Sequence, residues 1–366
     1  MPESLRALVL ALLIAVGASV LFAAGYVFVN TLLPPLNSGL RTLCLWDCGW
    51  YGNIAESGYD SAPTMQNGAA SDYGFFPAFP IGAKLVQLVT GFGFARAGLL
   101  FNAACSLLFC WLVLLHRREL LLGDERDSAM FLLAFLLSPW SLYNHIPYSE
   151  MLFNVSALGA YVSWRRGNFV AAAAFGVVLT ATRVSGVLLP VVLALELLWV
   201  ERHRLVAVFA QPDARFRALG VMPLGLAAVL GTHYVAVGDP LGYFHIQELG
   251  WGQGLRDPLA TGIAGLVVES EHRYHMLVFV AASLVLLAGT VTGRVPVPLA
   301  LFGWLVPTMT LVSTPASLSR YSLALFPYYL AINLLPFRLR VVAILMGTTG
   351  LMAFTYFWLR GDHWLV

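Results

Sequence analysis

The apolar positions of this chain are gathered into long runs that short polar segments separate. An α-helix needs about 20 apolar residues to cross a hydrocarbon core of about 30 Å. Only helices and closed barrels satisfy their backbone in lipid, and barrel strands would alternate polar and apolar residues. The pattern therefore predicts an all-α, polytopic transmembrane helical bundle that occupies residues 1–366 as a single domain. The predicted spans, about 11 in number, are 6–32, 96–115, 128–145, 149–164, 168–182, 184–200, 218–236, 275–292, 297–313, 321–336 and 341–358.

Two long polar segments, 33–95 and 237–274, are predicted to lie together on one side of the membrane. The first of them contains an apolar stretch, from Phe75 to Phe94, that is interrupted by two prolines, a lysine and three glycines. Counting this stretch as a span would place the later arginine clusters on the outer side. We therefore expect it to form an interfacial helix on the membrane surface. The first apolar run, at 7–29, is longer than the core of a signal peptide and predicts a retained helix.

Composition and charge agree with a membrane protein. Hydrophobic residues make up 59% of the chain and charged residues 11%, with a mean hydropathy of +0.78; soluble domains carry about 25% charged residues. With the N-terminus in the cytoplasm, 13 of the 21 basic residues fall on the inner side, as the positive-inside rule requires. We expect a multi-pass inner (plasma) membrane protein with both long segments outside.

The sequence also argues against nucleic-acid binding, a zinc site and an NTP-driven pump. A net charge of +2 leaves no basic footprint for nucleic acid. Cys44, Cys48, Cys105 and Cys110 have no zinc-ligand company in the sequence, and we expect four free thiols. The chain has no Gly-rich phosphate loop of the GxxxxGK[ST] type, which argues against an NTP-driven pump.

The first outer segment places one acid, Asp47, among the aromatic residues Trp46, Trp50 and Tyr51. A carboxylate beside apolar rings is poorly solvated, which suits a general base. The alternative is that Asp47 caps a short helix that starts at Cys48. A second acid, Asp72, lies just before the Phe75-Phe76-Pro77 turn.

An arginine, Arg183, lies at a break between two apolar half-runs. A charged residue in an apolar stretch is costly, and an arginine there can bind an anionic headgroup through two nitrogens. The alternative is an arginine that extends from a turn to the membrane surface. Arg320 likewise lies at the outer start of a helix, beside Tyr321, and is either an anion ligand or an interfacial anchor.

Further polar residues gather at predicted outer helix ends. They are candidate substrate contacts, or else parts of an interfacial belt, a serine cap and an ordinary Asp-Pro turn. These residues are His145, Tyr148, Glu150, Asp239, His245 and Gln247.

Several motif blocks follow one another along the chain. They are Trp46-Asp47 with Ile54-Ala55-Glu56 and Gly58-Tyr59, Phe75-Phe76-Pro77 with Phe79-Pro80, Pro147-Tyr148-Ser149-Glu150, Ala181-Thr182-Arg183, Gly238-Asp239-Pro240 and Ser319-Arg320-Tyr321. In this order, the blocks resemble those of the PIG-V-like mannosyltransferase family, and the resemblance covers about residues 45–330.

This resemblance implies a glycosyltransferase of the GT-C type. Its donor would be a polyprenyl-phosphate sugar, with mannose as the expected hexose, and its acceptor a glycan, a glycolipid or a protein. The active site would be extracytoplasmic, with Asp47 as the catalytic acid of the first outer segment. The long polar stretch from Asp60 to Tyr73 departs from the family pattern, which leaves the acceptor open. A requirement for a divalent metal ion is also left open by the sequence.

Two rival functions remain on the sequence alone. A transporter or flippase for a lipid-linked or anionic solute would need polar groups at mid-bilayer and usually paired repeats. The chain has no evident internal repeat, and its polar groups lie towards one face. The other rival is a non-catalytic subunit of a glycosylation complex.

Overall fold

The computed structural model describes residues 2–32, 43–60, 71–203, 213–269 and 272–362, and within them it contains helices and no strand. The expected all-α fold is thus confirmed for the described residues. The α-helices are α1 (Glu3–Leu32), α2 (Asp47–Ser57), α3 (Ala78–Thr90), α4 (Phe94–Leu115), α5 (Glu125–Leu136), α6 (Leu142–His145), α7 (Glu150–Arg165), α8 (Phe169–Thr182), α9 (Leu188–Val200), α10 (Ala214–Val221), α11 (Leu224–Val237), α12 (Gly242–Trp251), α13 (Pro258–Val267), α14 (Arg273–Val291), α15 (Val297–Thr310), α16 (Leu318–Leu323) and α17 (Phe337–Arg360). The 3₁₀ helices are Asp72–Gly74, Pro139–Ser141, Val184–Val187 and Phe326–Leu334.

Within the described ranges, five helices are long and apolar enough to cross a membrane by length and composition. They are Glu3–Thr31, Phe94–Leu115, Ala214–Val237, Arg273–Val291 and Phe337–Arg360. Shorter apolar helices, such as α8 and α15, lie between them in the chain. Large apolar side chains such as Leu13, Val235 and Met346 are exposed. Such a surface is expected of a protein embedded in a bilayer.

The stretch from Phe75 to Phe94 forms a helix shorter than a span. Helix α3 has 13 residues, which corresponds to about 20 Å of helix at 1.5 Å per residue. It packs against α4, burying Phe79 and Ala83 and leaving Leu85 and Leu88 exposed. An apolar outer face on a short helix is the form expected of an interfacial helix.

Four predicted spans are not single α-helices. The spans 184–200 and 218–236 are divided near Leu188 and near Pro223, and the other two have breaks whose cause can be identified. The predicted span 128–145 ends as an α-helix at Leu136 and continues as a 3₁₀ helix that begins at Pro139. Proline there lacks the amide that would continue the ladder, and the Ser138 side chain caps the new start by accepting from the amide of Ser141.

The predicted span 321–336 is likewise broken, between α16 and the 3₁₀ helix that begins at Phe326. The Asn154 side chain of α7 stabilises this break through two hydrogen bonds. Its Nδ2 donates to the carbonyl of Ala324 at 2.8 Å, and its Oδ1 accepts from the amide of Phe326 at 3.0 Å. A helix end buried away from water needs such partners; here a side chain distant in sequence supplies them.

Helix α7 is almost entirely buried and packs against α8 and α4. Its two ends carry different chemistry. It begins at Glu150, whereas its other end carries Arg165 and Arg166, which form ion pairs with Glu196 and Glu119. The predicted outer motifs and the predicted cytoplasmic arginines therefore lie at opposite ends of one buried helix.

Candidate active site

Four charged side chains from distant parts of the sequence meet at the Glu150 end of α7. Asp47 is the first residue of α2, and Glu150 is the first residue of α7. Arg183 follows α8, and Arg320 lies within α16. All four residues were predicted only as parts of separate motif blocks, and the structure brings them together.

Arg320 is at the centre of the cluster. Its Nε donates to Glu150 Oε1 at 2.6 Å, and its Nη2 donates to Asp47 Oδ2 at 2.9 Å. Its guanidinium carbon lies 4.6 Å from the ring centre of Tyr143 and 4.8 Å from that of Tyr148. The side chain is only 3% exposed, so it is not the interfacial anchor that the sequence left as an alternative.

Glu150 is shared by two arginines. Its Oε1 accepts from Arg320 and, at 2.7 Å, from Arg183 Nη2. Its Oε2 is buried and has no hydrogen-bond partner in the described part of the chain. Buried carboxylate oxygens are normally satisfied, so this oxygen is a place where a further donor would be stabilised.

Arg183 lies at a break in the helical backbone, as its position between two apolar half-runs predicted. Its φ of −156° and ψ of 148° are extended, between α8 and the 3₁₀ helix that follows. Its Nε donates to Ser149 Oγ at 3.0 Å, while its Nη2 bonds Glu150. The guanidinium therefore points into the cluster rather than extending to the membrane surface.

Ser149 does not cap α7, because its side chain makes no capping hydrogen bond. Its Oγ instead lies 3.0 Å from the hydroxyl of Tyr51 on α2. Burial raises the pKa of the Tyr51 hydroxyl well above its usual range, so this hydroxyl is neutral and available as a hydrogen-bond donor.

Asp47 is the most exposed charged group of the cluster. Its side chain is 21% exposed, compared with 4% for Glu150. It does not act as the predicted cap, since the residue at the cap position is Trp46 and no side-chain capping bond is made. Its surroundings are also not purely aromatic, because one carboxylate oxygen accepts from Arg320.

A small cavity borders the cluster. Its volume is about 10 Å³, which is room for about one water molecule. Glu150, Asn154, Arg183, Arg320 and Tyr321 contribute to its lining. A hexose does not fit this space.

Aromatic residues of the two segments that were predicted to lie outside, 33–95 and 237–274, pack beside the start of α2. Trp50 stacks on Phe75 at 5.9 Å and meets the edge of Trp251 at 6.1 Å. Gln247 of α12 donates to the carbonyl of Gly74 at 3.1 Å. The second outer segment is thereby attached to the first, and Gln247 has a structural partner there.

Other predicted contacts lie in separate environments. His145 is buried, stacks on Phe22 at 4.7 Å and bonds the carbonyl of Leu136 through Nε2 at 2.9 Å. Asp239 and His245 form an exposed pair at 2.6 Å. Within the described residues, none of these three side chains bonds to any of the four charged side chains.

Asp72 is held within the first outer segment itself. Its Oδ2 accepts from the amide of Asp60 at 2.9 Å, and its Oδ1 accepts from the Ser71 hydroxyl at 3.2 Å. Burial raises the pKa of this carboxyl. Its contacts fold the turn that precedes Phe75.

The expectation of four free thiols was wrong. Cys44 and Cys48 form a disulfide, whereas Cys105 and Cys110 are free and buried. The residues between the two bonded cysteines include Asp47. Disulfides persist in oxidising compartments, so this bond agrees with an outer location for the first segment.

Sequence reasoning missed three contributors to the cluster: Tyr143, Ser149 and Asn154. Asn154 follows Glu150 by four residues, and this spacing places both on one face of α7. That spacing is the one local signal that could have identified it. Among the described residues, no group of three or more His, Cys, Asp or Glu side chains is arranged to hold a metal ion.

No model of a known protein family matches this chain, and no curated protein is significantly similar to it.

Proposed function

We propose that this protein is an inverting glycosyltransferase of the GT-C type, related to the PIG-V-like mannosyltransferases. It would move a hexose, with mannose as the expected sugar, from a polyprenyl-phosphate donor to an acceptor hydroxyl. The observation that carries the proposal is the pair of contacts that Arg320 makes with Asp47 and Glu150. Through them the catalytic acid nominated by the motif blocks adjoins Arg320, which is linked through Glu150 to a second arginine, Arg183.

The reaction needs one base and a stabilised leaving group. The acceptor oxygen attacks C1 of the sugar, the bond from C1 to the phosphate oxygen breaks, and polyprenyl phosphate leaves. The acceptor proton passes to Asp47, the cluster carboxylate with the greater exposure. The sugar configuration is inverted because attack and departure occur on opposite faces of C1.

Arg183 and Arg320 are assigned to the donor phosphate. The leaving phosphate gains negative charge as the bond breaks, and arginines in a dry site stabilise such charge strongly. Arg320 donates a hydrogen bond to Asp47 in this structure, so an incoming phosphate would compete with Asp47 for the same guanidinium. Donor binding would therefore release Asp47 for the acceptor and open the small cavity.

The setting of the cluster supports a lipid-linked donor. A polyprenyl tail stays in the bilayer while its phosphate stays at the surface. The four charged groups lie at helix ends, opposite the arginine-rich end of α7. We propose that this end faces outwards, in a multi-pass inner (plasma) membrane protein with a cytoplasmic N-terminus.

The second candidate is a non-catalytic subunit of a glycosylation complex. It is favoured by the charge balance of the cluster, in which two arginines neutralise two acids. A buried network of this kind can serve only to fix the packing of helices. Under this reading Asp47 needs to accept a hydrogen bond and never a proton.

The substitution Asp47→Asn separates the two candidates. Asparagine keeps the size of aspartate and an oxygen that can accept from Arg320, but it does not take a proton at neutral pH. The test uses purified protein, polyprenyl-phosphate mannose and a panel of glycan, glycolipid and protein acceptors. Turnover should fall by at least about 10²-fold, the lower range for general base catalysis, with donor binding retained.

The matched control is Glu56→Gln, which changes an exposed acid on the same helix α2. This variant should turn over at the wild-type rate. Asp47→Asn with wild-type turnover would reject the catalytic role of Asp47. A wild-type protein that binds the donor yet transfers nothing to any acceptor would favour the non-catalytic subunit.

A further inference from the structure

The Cys44–Cys48 disulfide closes a small ring of chain around the proposed base. The two cysteines are four positions apart, and their Cα atoms are 5.0 Å apart. Asp47 is the residue directly before Cys48, whose side chain is fully buried in the core. One end of the ring is therefore anchored, and the carboxylate lies next to that anchor.

The backbone inside the ring has a conformation that side chains disfavour. Trp46 has a φ of 50° and a ψ of −114°, in a region that non-glycine residues rarely occupy. Such a conformation persists only where the surroundings impose it. The Trp46 ring packs edge to face against Trp358 at 4.6 Å.

A hydrogen bond attaches the chain segment closed by the disulfide to the charged cluster. The hydroxyl of Tyr148 donates to the carbonyl of Leu45 at 3.0 Å. The ring of Tyr148 also covers the Arg320 guanidinium, 4.8 Å from its carbon. The Tyr148 side chain thus contacts both the chain segment closed by the disulfide and the Arg320 guanidinium.

We propose that the Cys44–Cys48 disulfide is a positioning element that holds the Asp47 carboxylate in register with Arg320. This inference rests on the proposed function of Asp47 as the base. Without the bond, Trp46 relaxes towards an ordinary backbone conformation, and the start of α2 shifts. A misplacement of about 1 Å in a catalytic group can cost about 10²-fold in rate.

The prediction applies to chemistry and not to donor binding. Arg183 is held by Ser149 and Glu150 and has no bond to the ring. Reduction by a dithiol breaks the sulfur–sulfur bond, and two electrons and two protons give two thiols while the dithiol becomes a disulfide. Arg320 also remains bonded to Glu150, so we expect a lower kcat at a KM for the donor that does not rise.

The experiment compares wild type, dithiol-reduced wild type and Cys44→Ala/Cys48→Ala as full-length protein in detergent. Both altered forms should lose at least about tenfold in kcat, and the double variant should not respond to the reductant. Cys105 and Cys110 are free in all forms, so they supply no reducible bond. Reduction after folding provides the measurement even where the double variant folds poorly.

Hydrogen exchange at the amides of Cys48 and Gly49 gives a readout independent of activity. Those amides donate to Leu45 and Trp46 across the ring, and they should exchange faster after reduction. Wild-type kcat in both altered forms, or unchanged exchange, would overturn the positioning role. An inactive wild type would instead reject the proposed function, and the exchange rates would then decide whether the bond holds Asp47 in place.

Discussion

The guanidinium of Arg320 donates a hydrogen bond of 2.9 Å to Asp47, a residue 273 positions earlier in the chain. The bond attaches the start of α2 to the centre of the bundle. The same guanidinium bonds Glu150 at 2.6 Å. The segment that contains α2 is therefore attached to the bundle through Arg320, the side chain that we propose also binds the donor phosphate.

Arg183→Lys should keep the charge and still impair the protein. Lysine lacks the planar fork with which Arg183 contacts Ser149 and Glu150 together. The apparent affinity for polyprenyl-phosphate mannose should fall while the protein remains folded. The measurement is donor binding with detergent-purified protein, and the matched control is Arg202→Lys, an exposed arginine. Wild-type donor affinity in Arg183→Lys would contradict a phosphate-binding role.

Glu150→Gln should lower the free energy of unfolding of the protein. The substitution leaves the buried guanidinium of Arg320 and the neighbouring Arg183 with one acid fewer. Breaking a buried ion pair in this way costs about 3–5 kcal/mol. Thermal unfolding in detergent should show a clearly lower midpoint than wild type, whereas the exposed-site variant Glu56→Gln should not. Equal midpoints would contradict a stabilising role for the ion pairs of Glu150.

Asp72 predicts a pH dependence of stability. Burial raises the pKa of this carboxyl in the folded state, so folding favours its protonated form. Stability should fall as pH rises from the ordinary carboxyl pKa to the raised one, and it should be level above that. Asp72→Asn keeps an oxygen for the amide of Asp60 and should remove this part of the slope. Unfolding midpoints measured from acidic to neutral pH check this, and parallel curves would contradict it.

The sidedness can be tested by cysteine labelling. Glu248→Cys in α12 and His203→Cys after α9 place thiols at exposed positions of opposite predicted sides. The native background is low because Cys44 and Cys48 are bonded and the other two cysteines are buried. In intact cells a membrane-impermeant maleimide should label position 248 and not position 203. The reverse labelling would invert the topology.

The helical elements were largely predictable because burial in lipid forces apolar residues into long runs. The break at Arg183 was predictable for the same reason, since a charge interrupts an apolar run. The break near Phe326 was not, because Asn154 sets it through tertiary hydrogen bonds. A local pattern carries no information about a partner far away in the chain.

The candidate site was predictable as separate motifs and not as an arrangement. The sequence nominated Asp47, Glu150, Arg183 and Arg320, but it gave no reason to pair Arg320 with Asp47. The disulfide was also missed, because the spacing of Cys44 and Cys48 does not by itself distinguish a bond from two thiols. His145 was nominated for its motif, and its partners are those of a core residue.

The bonds that Asn154 makes with Ala324 and Phe326 restrict how the length of the chain can vary. Glu150 and Asn154 are one helical turn apart, and so are Arg320 and Ala324. The two turns have the same length. Inserting or deleting one residue in either turn would rotate Glu150 away from Arg320. We expect homologous chains to tolerate changes of side chain on the lipid-facing surface far more readily than a single-residue change of length between 150 and 154 or between 320 and 326.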